Sequence, residues 1–295
     1  MIGVYGTTHS YQNVAVPDQH LIDDSVVDTY HRDGVVVLRG VVSADEIALL
    51  RTGIDAVVES PSPRAKVASS NDDPGLFLED FCTWRERPEF AAFLRSTRLG
   101  EVAAQLMRSE RVHLYHDHVL VKEPRTRQRT PWHQDQPYYD VEGVQNVSFW
   151  IPVDSVPLES SLELVAGTHA GPWLMPRTFL DRQARWFPEG TLADLPDIDA
   201  NRADFPIRSW NVEPGDAVAF HMLTVHGAPG VVGTGRRRVF SLRVLGDDMV
   251  YAPRPWVCSP DFAAVMSERD DPRRAKEPLR GEWFPELWPV NEVPR

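Results

Sequence analysis

Cysteine is nearly absent from this chain, and positive charge is in short supply. Two thiols, Cys82 and Cys258, in 295 residues cannot make a disulfide framework. Free thiols suit a reducing compartment, so a cytoplasmic protein is expected. Lys and Arg number 31 against 43 Asp and Glu, a net charge of −12. That balance leaves no basic face for a nucleic-acid backbone. The Arg-rich piece 122–129 is a local exception and reads as a solvated loop. No apolar run reaches the roughly 20 residues a membrane helix needs. No basic segment followed by an apolar run opens the chain, so no secretory signal is expected. Internal repeats and low-complexity tracts are also missing.

What is present is ordinary globular material, 42% hydrophobic and 25% charged. All-β folds of this length are often one domain, and one domain over 1–295 is expected. Residues 1–20 are polar and aperiodic and read as a loose arm. A short helix over 21–32 precedes the β-branched run 34–39, which reads as a buried strand. Ser43 with Glu46 three residues on has the pattern of a capping box. It opens a helix carrying Ile47, Leu50, Ile54 and Val57 on one side. Residues 60–75 read as a loop, and 90–94 and 99–107 as helices.

From Arg111 the character changes to short strand-like segments. They cover 112–122, 132–134, 147–153, 162–166, 207–212, 217–220, 223–226 and 238–245, separated by Gly, Pro and Asp. Many short strands with turn signals between them predict a sandwich or barrel. The mixed piece 172–205 contains Trp173 and Trp186 and reads as an inserted lid or binding loop. The tail 246–295 is rich in Pro and Trp and is expected to lie along the surface as irregular structure.

Chemistry concentrates in Trp132-His133-Gln134-Asp135. On an extended strand, residues i and i+2 share a face, so His133 and Asp135 can offer an imidazole nitrogen and a carboxylate oxygen to one point. These are two thirds of the 2-His-1-carboxylate triad that holds non-haem Fe(II) with positions open. As an isolated triplet they are more simply a hydrogen-bonded surface pair. His226 supplies the missing histidine, at the end of an apolar run beside the turn Gly227-Ala-Pro-Gly230. Arg237 follows eleven residues later, on a strand that can return to the same barrel and offer a guanidinium to a dicarboxylate.

In this order, Trp132 to Asp135, Phe149-Trp150-Ile151-Pro152, Leu164 to His169, Pro214-Gly215-Asp216, His226-Gly227 and Arg237 resemble the phytanoyl-CoA dioxygenase family of Fe(II)/2-oxoglutarate oxygenases. The resemblance covers about residues 22–245. It implies a double-stranded β-helix, a cupin-like jelly-roll core, mainly β with flanking helices. It implies His133, Asp135 and His226 as iron ligands and Arg237 on the far carboxylate of 2-oxoglutarate. Gln134, Trp150, His118 and Ser241 are expected to line the cosubstrate pocket. The implied reaction consumes Fe(II)-bound 2-oxoglutarate and O2, releases succinate and CO2, and hydroxylates a C–H bond of a small molecule.

Two positions depart from the family. Glu159-Ser160-Ser161 replaces an Asn-Gly-type turn, and Ala228 stands where some relatives carry a serine. Halogenases of the superfamily lack the carboxylate ligand; Asp135 is present, which favours oxygen insertion.

Alternatives remain at this stage. His116-Asp117-His118 with Glu123 imitates half of a cupin metal motif, although strand parity turns Glu123 to the other face. A non-catalytic binding protein on the same scaffold would lack one of the four key residues, and all four are here. His221 and His169 read as structural, and Arg236 and Arg238 as solvated. Arg243 shares parity with Arg237 and Ser241, so it faces inward, toward a substrate anion or a structural ion pair.

Overall fold

The structure, a computed structural model, describes residues 21–175, 190–231, 233–267 and 270–289. The expected arm 1–20 and residues 176–189 of the expected lid lie outside these.

Helix α1 (Asp24–Asp33) leads into strand β1 (Val35–Leu38) through Gly34, which has φ 71°. A side chain at Gly34 would place its Cβ 2.4 Å from His169 Nδ1, so glycine is required there for space as well as conformation. Helix α2 (Ala44–Glu59) starts at the anticipated capping box: the Glu46 amide donates to Ser43 Oγ, and the Ser43 amide to Glu46 Oε2. Then come β2 (Lys66–Val67), β3 (Phe77–Phe81), α3 (Pro88–Ser96), α4 (Leu99–Met107) and β4 (Val112–Lys122). Strands β2 and β3 were not anticipated: Glu79 and Asp80, adjacent acids inside β3, hide the strand pattern.

The second half supplies β5 (Thr130–His133), β6 (Val141–Glu142), β7 (Asn146–Pro152), β8 (Glu163–Val165) and β9 (Ile207–Arg208). It continues with β10 (Ala217–Phe220), β11 (His226–Ala228), β12 (Arg237–Leu245), β13 (Val250–Tyr251) and β14 (Glu286–Trp288). A large antiparallel sheet runs β1-β10-β7-β12-β4-β3-β2, with β14 added to β4. A smaller sheet runs β5-β11-β8-β9, and β13 pairs with β6. This is the expected jelly roll with helices outside.

Strand alternation decides what each face of the large sheet does. Val36, Leu38, Val119, Val121, Phe149, Ile151, Phe240 and Leu242 point outward and pack on Leu50, Ile54, Phe90 and Phe93 of the helices. The opposite parity, Val35, Trp150, Val218, Phe220 and Val239, points inward with Leu162 and Leu164. Apolar area on both faces is what holds the sheet between its two partners.

Three sequence expectations need correction. The expected strand 223–226 is mostly a turn: β10 ends at Phe220 as read, the turn follows, and His226 opens β11 in the other sheet. The piece 122–129 is not simply solvated, because Lys122 is buried and its Nζ donates to the carbonyls of Gln128 and Pro229. The tail is mostly irregular but not superficial. Phe262, Met266, Leu279 and Phe284 are buried together with Tyr115 and Tyr139.

Candidate active site

His133 on β5 and His226 on β11 are direct cross-strand partners in the small sheet, with ring centroids 4.2 Å apart. Each ring is fixed in the same way. His133 Nδ1 donates to the Pro131 carbonyl at 2.8 Å, and His226 Nδ1 to the Thr224 carbonyl at 2.9 Å. Because each acceptor is a carbonyl, each Nδ1 carries a proton, which leaves Nε2 as the nitrogen that can offer a lone pair to a metal. Burial, then the neighbouring His133, push His226 down to about 3, so it stays neutral at ordinary pH.

Asp135 completes the group, by a route other than the expected one. β5 stops at His133, and Asp135 has helical torsions, φ −75° and ψ −46°. The turn is held by the Met222 carbonyl, which accepts the amides of Asp135 and Gln136. Asp135 Oδ1 lies 3.6 Å from His133 Nε2 and 3.8 Å from His226 Nε2. Among the described residues, these three form the group of His, Cys, Asp and Glu whose ligand atoms converge, all within 4.8 Å of one another. Two imidazole nitrogens and one carboxylate oxygen are the donor set that suits Fe(II). Burial alone would raise the Asp135 carboxyl. Arg243, with His226 and His133, outweighs it and holds the group well below the usual carboxylate range.

The triad opens into a pocket also lined by Arg237, Trp150, Ser241, His118 and Arg243. Register explains the grouping. Arg237, Val239, Ser241 and Arg243 of β12 stand opposite Lys122, Leu120, His118 and His116 of β4. Ser241 faces Trp150 across β7, and Arg243 faces Ser148. Arg237 is buried 6.0 Å over the Trp150 ring and donates to the Ser160 carbonyl. Burial lowers it to about 10.

Gln134 departs from its expected place. Its Nε2 donates to the carbonyls of Leu223 and Pro172, and its Oε1 accepts the Leu174 amide. It follows His133 by one residue and so turns away from the pocket, joining the loops instead. The cupin-like set does not converge. His118 lies 3.4 Å from Glu79, whereas Glu123 pairs with Arg236 at 2.8 Å. Arg238 is no free surface charge either, being paired with Asp154 and Asp55.

Sequence reasoning missed Glu79, which lines the pocket from β3, and Ser148, which donates to Asp135 Oδ2 at 3.2 Å. Ser148 was reachable: it has the parity of Trp150 within the same anticipated strand. Arg243 also points inward as its parity required. Its partners are Asp135 Oδ2 at 3.3 Å and the Tyr139 hydroxyl at 3.1 Å.

The sequence profile of the phytanoyl-CoA dioxygenase (PhyH) family matches residues 30–239. No curated protein matches the sequence. Solved structures do. The non-heme alpha ketoglutarate dependent carbocyclase SnoK from nogalamycin biosynthesis aligns with TM-score 0.70 and 22% identity, over 90% of this chain and 96% of that one. The epimerase SnoN, solved with Fe3+, alpha ketoglutarate and nogalamycin RO, aligns with TM-score 0.68 and 21% identity over 90% and 98%. EvdO2 from Micromonospora carbonacea var. aurantiaca, complexed with 2-oxoglutarate, aligns with TM-score 0.58 and 22% identity over 81% and 98%. These likenesses speak to the fold. The family match, spanning the chain from α1 into β12 and taking in His133, Asp135, His226 and Arg237, goes further: the chain belongs to the phytanoyl-CoA dioxygenase family and is an Fe(II)/2-oxoglutarate-dependent dioxygenase.

Proposed function

We propose that this protein hydroxylates an unactivated C–H bond of a small-molecule metabolite, with His133, Asp135 and His226 holding the iron and Arg237 the distal carboxylate of 2-oxoglutarate. The observation that carries the reading is the combination in one pocket of three convergent metal donors and a buried guanidinium with no acid partner among the described residues. Bound iron supplies the oxidation, coupling decarboxylation of 2-oxoglutarate by O2 to attack on the C–H bond.

The chain's own residues do the rest. The Pro131 and Thr224 carbonyls orient the imidazoles. Arg237 neutralises a carboxylate in a place where water is scarce. Trp150, Leu162 and Phe220 wall the pocket with apolar surface, and Ser241 and His118 add polar groups beside it.

The substrate class follows from two supports. The net charge of −12 disfavours a large polyanion such as a CoA ester. The structural neighbours SnoK and SnoN belong to nogalamycin biosynthesis, which favours tailoring of a natural-product scaffold. Those two are a carbocyclase and an epimerase, so ring closure and epimerisation are the competing outcomes after hydrogen removal. We read the whole chain as one such domain. The tail supports the single-domain reading, since Ser259 lines the pocket and Glu286–Trp288 pairs with β4. A cytoplasmic site of action agrees with the two unpaired cysteines.

The test is an anaerobic titration of metal-free protein with Fe(II) and 2-oxoglutarate, following the visible charge-transfer absorption of the chelate. The band is expected in the wild type, absent in His133→Ala, and shifted to much higher 2-oxoglutarate in Arg237→Ala. Succinate release on admitting O2 then screens scaffolds, and product masses separate hydroxylation from its competitors. A wild type that binds neither Fe(II) nor 2-oxoglutarate overturns the proposal in favour of a binding protein.

A further inference from the structure

We propose that Arg243 is a positioning residue for Asp135, holding one carboxylate oxygen away from the metal so that the other alone faces it. The inference rests on the reading of His133, Asp135 and His226 as iron ligands.

The two oxygens of Asp135 are not equivalent. Oδ1 is the one that approaches both imidazoles, at 3.6 and 3.8 Å. Oδ2 accepts Arg243 Nη2 at 3.3 Å and Ser148 Oγ at 3.2 Å. Arg243 is held in turn, because its Nε donates to the buried Tyr139 hydroxyl at 3.1 Å. Arg243 and Ser148 are register partners on β12 and β7, and Tyr139 follows the turn that carries Asp135. Two strands therefore close on one oxygen, and a third segment holds the arginine in place. Every member is buried, so a lost donor here leaves a costly gap in the network.

The consequence concerns coordination. A carboxylate with both oxygens free can chelate a divalent cation. One whose Oδ2 is occupied by a guanidinium and a hydroxyl binds through Oδ1. An octahedral ion with three single-atom protein donors keeps three positions, two for the keto acid and one for O2. A chelating Asp135 would leave two in all. Arg243 thereby keeps a position open, and it does so without touching the metal. Its Nη1 is buried with no hydrogen-bond partner among the described residues, and the side chain lines the pocket. The guanidinium thus meets the pocket as well as the carboxylate.

The experiment compares wild type, Arg243→Met, Arg243→Lys and Tyr139→Phe, each checked for folding by circular dichroism. Anaerobic calorimetry gives Fe(II) affinity, and the visible chelate band gives 2-oxoglutarate affinity and band position. Arg243→Met is expected to bind Fe(II) within about threefold of wild type, to need at least tenfold more 2-oxoglutarate, and to show a displaced band. Arg243→Lys should recover most of the affinity, and Tyr139→Phe should fall between. A folded Arg243→Met with band position and 2-oxoglutarate affinity within twofold of wild type overturns the inference. So does a folded Arg243→Met that loses Fe(II) altogether, which would make Arg243 a support of the whole triad. If Arg243→Met does not fold, Tyr139→Phe decides by the same two readouts. A wild type without any band overturns the parent reading, whereas a normal wild type with unmoved variants overturns this one alone.

Discussion

Arg237 on β12 stands directly opposite Lys122 on β4, and both cations are buried. Lys122 is satisfied by two backbone carbonyls and Arg237 by that of Ser160. Burial, and for Lys122 also the charge of Arg237, pulls both below their usual ranges. Adjacent buried like charges are costly unless something negative joins them. Glu79 offsets part of this at Lys122, and the remainder supports the reading of the Arg237 end of the pocket as an anion site.

Replacing Arg237 separates binding from folding. Arg237→Gln is expected to weaken 2-oxoglutarate binding roughly a hundredfold or more, the scale for losing one partner of a buried charge pair. The ligand-free variant should melt at or above the wild-type temperature, because an uncompensated buried charge has gone. Scanning calorimetry with and without 2-oxoglutarate checks both halves. A variant that loses stability and keeps its affinity would place Arg237 outside the site.

Metal binding should stabilise the fold through His226. Fe(II) at a hundred times its dissociation constant adds about 2.7 kcal/mol to a one-site protein. Anaerobic melting of the wild type should show that rise, and His226→Ala should show none. Treatment with a chelator should return the wild type to its metal-free melting temperature.

His221 should make the protein acid-sensitive. Burial, with His169 adding to it, lowers His221 to about 4. The ring accepts the Leu223 amide at Nδ1 and donates from Nε2 to the Val144 carbonyl. It is neutral when folded, while the unfolded chain takes up a proton near 6.5. Stability is therefore full above about pH 6.5 and falls as pH drops toward 4, by roughly 3 kcal/mol over the window. In His221→Gln that share of the acid sensitivity should vanish. Urea unfolding of both proteins at pH 8 and pH 4.5 measures it, and parallel losses would refute the assignment.

Asp216 ties the loop after β1 to the turn before β10. Its carboxylate accepts the Gly40 and Glu213 amides and Arg39 Nη1. Asp216→Ala leaves those donors without their partner and is expected to cost about 1–3 kcal/mol. Urea unfolding measures the loss. Fe(II) affinity should hold within a few fold, since no triad residue touches this corner.

Much of this was legible in the residues. The capping box of α2 formed as read, and the parity of Arg237, Ser241 and Arg243 put all three on the inner face, because alternation on a strand leaves no choice. Gln134 was misplaced by following the family instead of that same alternation. Asp135 sits beside His133 through a turn, and the apolar run before His226 conceals a change of sheet. Strand β3 was hidden by its own acids: Glu79 meets His118 of β4, and Asp80 accepts from Ser62 in the loop after α2.

The sequence by itself determined the donor types, their order along the chain and the alternation that turns them inward. Those depend on covalent spacing and backbone geometry, which every fold shares. Tertiary structure alone decided that Arg243 closes on Asp135 and that Lys122 stands beside Arg237. Each depends on which strands become neighbours and in what register. A one-residue slip between β12 and β7 would separate Arg243 from Ser148 without altering a single local preference.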